Sequence, residues 1–352
     1  MIKKKNIRAL SLEELKELML TWDEKPFRAK QVYEWLWKKG KGVAFFSEMK
    51  NVPKQLQDKL DANFDIYKLA VEDEQKSSDG TVKSAFRLHD GNVVEGVLIP
   101  SSKRTTACIS SQVGCSLSCA FCATGKMGRL RNLSADEIYD QVVAVAEQSE
   151  RTQNKPLSNI VYMGMGEPLL NYKETLRSIE MITSDEGLGM SPKRITLSTA
   201  GIAKMIRKLG DDKVRFNLAL SLHAANDVKR SKIMEINKEN SLSELSSALK
   251  YFYDMTGSRI TFEYILFKDF NDSLEDAAQL AAFSKIVPVK INLIEYNDVE
   301  DVPYTKADYI RTDAFSKYLE DRNMIVNIRR SRGKDIDAAC GQLANKNKAN
   351  KK

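Results

Sequence analysis

The stretch Cys108–Arg131, CISSQVGCSLSCAFCATGKMGRLR, decides how the rest of the chain is read. It carries four of the five cysteines, and three of them, Cys115, Cys119 and Cys122, are spaced C-x-x-x-C-x-x-C with Phe121 just before the last. Structural zinc sites generally close their coordination with two C-x-x-C hooks, or with one hook and nearby histidines. Here the only histidines, His89 and His223, lie far from the triad in sequence. Three thiolates suit a 4Fe–4S cluster with one iron left without a protein ligand, and an open metal position is what a reactive site needs. A zinc knuckle with a distant fourth ligand is the competing reading of the same spacing.

Outward from the triad, the chain alternates strand and helix. Strand-like runs fall at 105–110, 159–163, 194–198, 214–222, 259–266 and 289–294, with helical stretches between them. Three of those helices open on capping-box patterns, Ser134 with Glu137, Ser241 with Glu244, and Ser273 with Asp276. Strands alternating with helices predict a parallel sheet with right-handed crossovers. With no G-x-G-x-x-G dinucleotide turn, we expect an α/β fold built on a partial (β/α)6 barrel. Function in such folds gathers at the carboxyl ends of the strands. A further strand is expected near 324–328.

Upstream, residues 1–65 read as a small helical accessory domain. Ser11 and Glu14 form a capping box, and Leu12, Leu15, Leu18 and Met19 share one helical face. The tryptophans that follow are expected to be core anchors. In 66–100 the turn dipeptides Asp79-Gly80 and Asp90-Gly91 separate alternating runs, predicting a short antiparallel β linker. The barrel is expected over 101–300, a C-terminal extension over 301–343, and a disordered basic tail over 344–352.

Composition narrows the class. No apolar run approaches the length of a membrane span, and the basic N-terminus lacks the apolar core of a signal peptide. Clustered, unevenly spaced cysteines indicate metal and thiol chemistry in a reducing compartment, so a cytoplasmic, membrane-free protein is expected. The net charge of +7 is modest, but its placement is informative. Lys126, Arg129 and Arg131 follow the triad, Lys193 and Arg194 open a later strand, and Arg329, Arg330, Arg332 and Lys334 precede Cys340. Cationic clusters beside the candidate chemistry suit a polyanionic substrate such as RNA.

Polar residues close several strands. Gly164-Met165-Gly166-Glu167-Pro168 follows one, Ser198 ends the next, Ser221-Leu222-His223 ends another, and Asn297 lies past the last. Each taken singly is also an ordinary turn former. Cys340 sits among acidic and small residues in a loop-like setting permissive for a reactive thiol, and Cys108 reads either as strand core or as a second such thiol.

The triad resembles the radical S-adenosylmethionine (SAM) signature, and MGMGEP resembles that superfamily's GGEP motif. Together with LSTAG, SLHA, NLIEYN and RGKDIDAACGQL, these motifs resemble the RlmN/Cfr family of RNA adenine methyltransferases over almost the whole chain. MGMGEP with Pro168 is similar to the RlmN branch, which methylates adenine C2 in 23S ribosomal RNA and, in some members, in transfer RNA; the Cfr branch methylates C8. The resemblance implies a 4Fe–4S cluster on Cys115, Cys119 and Cys122. It implies SAM contacts at Gly166, Glu167, Ser198, Ser221, Leu222, His223 and Asn297. Cys340 would carry the methyl group, Cys108 would be its thiol partner, and Glu95 the proton acceptor. Without the resemblance, Glu95 reads as a solvent-facing strand residue. Two SAM molecules would be used per turnover, with an external electron donor such as flavodoxin and a monomeric enzyme. Open alternatives are a C8 methyltransferase and a non-catalytic, zinc-stabilised RNA-binding protein.

Overall fold

The computed structural model describes residues 4–38 and 40–345. Of the expected basic tail, 346–352 lie outside the described residues. Helices Leu12–Thr21, Phe27–Trp37 and Lys54–Asn63 form the N-terminal unit. The first starts where the sequence predicts: the Glu14 N–H donates to Ser11 Oγ at 3.1 Å, and the Ser11 N–H donates to the Glu14 carboxylate at 2.7 Å. Trp37 is buried while Trp22 and Trp35 are half-buried, which suits packing anchors. Arg8 clamps this unit to the helix Ala135–Gln153. Its guanidinium donates to both oxygens of Asp140, at 2.8 and 2.7 Å, and stacks 4.5 Å from the Trp37 ring centroid. A fully buried guanidinium persists only with such pairing, because an unpaired buried charge costs several kcal/mol.

Ten strands make one sheet. In chain order they are β1 (Ala70–Lys76), β2 (Val82–Arg87), β3 (Val93–Pro100), β4 (Thr105–Cys108), β5 (Asn159–Tyr162), β6 (Ile195–Thr199), β7 (Asn217–Ser221), β8 (Ile260–Leu266), β9 (Val289–Glu295) and β10 (Val326–Arg329). Each strand hydrogen-bonds to the next one in the chain. From β4 to β10 every pairing is parallel, while β1 to β4 pair antiparallel. The expected meander is therefore continuous with the barrel sheet, with Val97 of β3 opposite Cys108 of β4. The strand expected near 324–328 is β10, parallel to β9.

Sequential parallel neighbours joined by helices are the topology of a barrel. The sheet also curls, because Val97 and Ile99 of β3 and Arg329 of β10 line one cavity. β8 is buried along almost its whole length, as expected for a strand covered on both faces. The C-terminal loop spans the gap between the two arms of the sheet. The Gly333 N–H donates to Asp79 at 3.0 Å, and the Ser77 hydroxyl donates to Asp335 at 2.6 Å.

Candidate active site

The cysteine loop is tied off at its base. Gln112–Gly114 and Arg129–Asn132 pair antiparallel, and the Cys115 N–H donates to the Gly128 carbonyl at 3.1 Å. Gly114 has φ +76°, and a Cβ there would lie 1.8 Å from the Gly128 oxygen, so only glycine closes this loop. Cys115, Cys119 and Cys122 all line the large cavity at the carboxyl ends of the strands. Burial pushes the Cys115 thiol up to about 11 and the Cys119 thiol higher still. Such thiols ionise when a bound metal supplies the compensating charge. Among the described residues, no three His, Cys, Asp or Glu side chains are arranged to hold one metal ion. Three thiols on one cavity wall, with no fourth protein thiolate beside them in the triad, fit an iron–sulfur cluster held by three cysteines.

Beside the triad, Glu167 is buried. Its Oε1 accepts from the Leu169 N–H at 3.0 Å and its Oε2 from the Ala200 N–H at 2.7 Å. Desolvation nevertheless pushes its carboxyl up to about 7. Gly166, at φ +96°, and Gly164 are required by the protein side of the wall. A Cβ on Gly166 would lie 2.5 Å from Gln112 Cβ, and one on Gly164 would lie 2.7 Å from the Ile109 carbonyl. These glycines let the turn pack on Ile109 and Gln112. Across the cavity, the hydroxyls of Ser198 and Ser221 are 3.2 Å apart.

His223 has φ +57°, rare for a residue with a Cβ. Its Nδ1 accepts the Ile265 N–H at 3.1 Å, and its carbonyl accepts from Asn271 Nδ2 at 2.7 Å. A nitrogen that accepts cannot carry the proton, so the neutral ring bears it on Nε2. Burial and the nearby Arg230 lower the His223 pKa to about 3. The ring packs edge-on against Phe121 at 4.9 Å, so the residue inside the triad and the end of β7 support one another.

The expected SAM contacts do not all share one surface. Gly166, Glu167, Ser198, Ser221 and His223 line the cavity. Leu222 is fully buried behind it. Asn297 is off the wall; its Nδ2 donates to the Glu295 carbonyl at 3.3 Å while its buried Oδ1 has no partner. The carboxylate of Glu167 and the His223 Nε2–H, both on the cavity wall, are polar groups suited to a zwitterionic, heterocyclic ligand such as SAM.

Both remaining cysteines face the same cavity. Cys108 ends β4, and burial pushes its thiol up to about 12. Cys340 follows Lys334–Ile336 in an irregular segment and is solvent-accessible. Crowding by protein around its sulfur raises the thiol pKa, and the guanidinium of Arg329 opposes that rise. Arg329 is itself held at 3.1 Å by Glu263, which accepts from Asn292 Nδ2 at 2.8 Å. Sequence reasoning missed Glu263 because a carboxylate inside an apolar strand carries no local signature. It also missed Arg230, whose buried guanidinium donates to the carbonyls of Ala200, Ser221 and Leu222 and ties the ends of β6 and β7 together.

Two expectations are corrected. Glu95 does not face solvent: it is 2 % exposed, and it lies outside the cavity lining. The cationic clusters are also unequal. Arg131 is consumed by bidentate bonds to Glu137, at 2.7 and 2.8 Å, and by Asp90 at 2.6 Å. Lys193 and Arg194 precede β6 at its amino end, whereas Ser198 stands near its carboxyl end. At about 3.3 Å per residue they are more than 10 Å from the cavity face. Lys126, Arg129, Arg330 and Arg332 remain exposed around the triad and the Cys340 segment.

Comparison with known proteins follows the same division. Residues 109–281 match the radical SAM superfamily, and residues 5–66 match the ribosomal RNA large subunit methyltransferase N-terminal domain. A Cytophaga hutchinsonii protein named "Probable dual-specificity RNA methyltransferase RlmN" is 57% identical over 97% of this chain and 93% of its own length. The "Dual-specificity RNA methyltransferase RlmN" of an Anaeromyxobacter species is 42% identical over 96% and 90%. The crystal structure of a radical SAM methyltransferase from Sphaerobacter thermophilus superposes with a TM-score of 0.89 at 38% identity, over 96% of this chain and 99% of that one.

Proposed function

This chain belongs to the RlmN family of radical SAM RNA methyltransferases, and we propose that it methylates C2 of adenosine in 23S ribosomal RNA and in transfer RNA. One observation carries the reading: Cys108 and Cys340, far apart in sequence, line the cavity that also holds Cys115, Cys119 and Cys122. A zinc-stabilised RNA-binding protein has no use for two further thiols there.

Adenine C2 is an electron-poor ring carbon, so simple displacement of a methyl group from SAM fails at that position. Cys115, Cys119 and Cys122 would hold a 4Fe–4S cluster, and the polar groups around Glu167 would hold SAM; together these would supply the electron, the methyl group and the hydrogen-abstracting equivalent. The chain supplies the rest. Glu167 would meet the SAM ammonium with its carboxylate, and the His223 Nε2–H would serve as a neutral donor. Cys340 accepts a methyl group on sulfur as its thiolate, a form favoured by Arg329. After loss of a hydrogen atom, the S-methyl carbon would bond to adenine C2; a base, the role the resemblance gives to Glu95, would take the C2 proton, and the one electron left on the adduct would return to the oxidised cluster. Cys108, as its thiolate, then attacks the Cys340 sulfur; the S–S bond forms as the S–C bond breaks, and the departing carbon takes a proton from solvent to leave methylated RNA. An external reductant restores the two thiols, and a flavodoxin-type donor supplies the cluster electron.

The target base leaves its stack, or is already exposed in a loop, to reach the cavity. Lys126, Arg129, Arg330 and Arg332 hold phosphates around the mouth, and the helical unit within 1–65 adds RNA contacts. The enzyme works as a cytoplasmic monomer; no described helix is long and apolar enough to cross a membrane. The test incubates reduced, cluster-loaded protein with methyl-deuterated SAM and unmodified ribosomal RNA fragments, followed by nucleoside mass spectrometry. C2-methyladenosine with two deuteriums and one exchanged hydrogen is expected. A C8 product would move the chain to the sister activity, and 5′-deoxyadenosine without any methyladenosine would overturn the RNA assignment.

A further inference from the structure

Cys340 rides on a strap fixed at both ends. At the near end, Gly333 and Asp335 bond to the turn between β1 and β2. In the middle, the Ala123 N–H donates to the Gly341 carbonyl at 2.8 Å and the Thr124 hydroxyl to the Leu343 carbonyl at 2.6 Å, both just past the cysteine triad. At the far end, Glu95 Oε2 accepts the backbone N–H of Ala344 at 2.9 Å and of Asn345 at 3.1 Å, and Asn345 Nδ2 donates to the Val93 carbonyl at 2.7 Å. The other oxygen of Glu95 faces Lys83 Nζ at 3.8 Å, and both side chains are buried.

The backbone of the same glutamate is tied to the SAM-binding turn. The Ser110 hydroxyl donates to the Glu95 carbonyl at 2.6 Å and accepts the Met165 N–H at 2.8 Å. Met165 immediately precedes Gly166 and Glu167. A single residue thus links the turn that receives SAM to the strap that carries the methyl acceptor, through its main chain on one side and its side chain on the other. Two charge-assisted bonds to consecutive backbone amides fix the path of a chain, and desolvation strengthens them.

We infer that Glu95 is a positioning residue: its buried carboxylate latches residues 344–345 and so sets where Cys340 meets the SAM-binding turn. The role is separate from proton acceptance, since it acts before RNA binds. It rests on the proposed function only in taking Cys340 as the methyl acceptor.

Glu95→Ala, Glu95→Gln and Ala344→Pro in the full-length, cluster-loaded protein test it. Ala344→Pro deletes one of the two donors and leaves the carboxylate intact. The first readout is amide hydrogen exchange of peptides covering Ala344 and Asn345, with no SAM present. The second is the rate of Cys340 S-methylation in the absence of RNA, by intact-protein mass spectrometry. Losing a bond to a charged acceptor predicts about tenfold or more in each readout for Glu95→Ala and Ala344→Pro. Glu95→Gln, which keeps an acceptor oxygen, should fall between these variants and the unsubstituted protein. Unchanged exchange and methylation in both Glu95→Ala and Ala344→Pro would overturn the latch, leaving Glu95 a base alone. Raised exchange with unaltered methylation would overturn the positioning role. If Cys340 is never methylated even without substitution, the proposed function fails while the exchange data still decide whether the latch exists.

Discussion

The neutral His223 and the buried Glu167 make opposite predictions about acid, and their magnitudes can be worked out. The His223 pKa is lowered to about 3, against about 6.5 in an unfolded chain. Between those values the unfolded state binds a proton that the folded state refuses, so the stability held above pH 6.5 is lost as pH falls. From pH 7 to pH 5 the loss is about 2 kcal/mol. Glu167 is raised from 4.5 to about 7. Its contribution is fully present below 4.5 and lost as pH rises through 7, so the same acidification adds about 2 kcal/mol. In the cluster-free protein the two terms offset one another. His223→Asn should unmask the glutamate. Asn tolerates the left-handed backbone, and its Oδ1 takes the place of Nδ1 as acceptor for the Ile265 N–H. Urea unfolding at pH 7 and pH 5 should show this variant gaining about 2 kcal/mol on acidification relative to the unsubstituted protein, and Glu167→Gln losing about as much. A difference under about 0.5 kcal/mol for His223→Asn would refute the buried neutral imidazole, and with it the assignment of an Nε2–H donor to the cavity.

Further outcomes follow from contacts with a single dominant cause. Gly166→Ala must displace Gln112 and twist a left-handed backbone; SAM affinity, measured by equilibrium dialysis on the cluster-loaded protein, should fall by about tenfold or more. Arg8→Ala leaves Asp140 without its guanidinium partner and removes the stack on Trp37, and chemical denaturation should show a loss of about 3–5 kcal/mol. Cys340→Ala should retain iron and sulfide by metal analysis yet transfer no methyl group, whereas Cys108→Ala should accumulate protein covalently joined to RNA on denaturing gels. Full turnover by Cys108→Ala would remove its resolving role.

Much of the architecture was legible because its signals are local. The capping boxes at Ser11, Ser241 and Ser273 start helices where they were expected, since a cap is decided within one turn. Strand runs survive with ends trimmed by a few residues, as with 214–222, which becomes Asn217–Ser221. The Gly80 and Gly91 turns open the antiparallel arm as read, both at positive φ. The triad spacing is legible as a metal site because three cysteines within eight residues can converge on one ligand without help from distant chain. Misreadings have a common origin. Arg131 reads as a phosphate contact in sequence, but in the fold Glu137 and Asp90 occupy its guanidinium, and Lys193 and Arg194 are close to the chemistry only in the linear order of residues.

The sequence by itself determined what kinds of groups this protein owns: a cysteine triad, two further thiols, a glycine–glutamate turn and a run of alternating strands and helices. Those depend on residue type and on spacings of a few residues. Only the tertiary structure decided which groups meet. Glu95 became a buried latch because a segment some 250 residues away donates two amides to it. Arg329 came to lie beside Cys340 because Glu263 of β8, two strands away across β9, holds it there. Such pairings are set by sheet curvature and chain closure, and they leave no mark in either partner's local sequence.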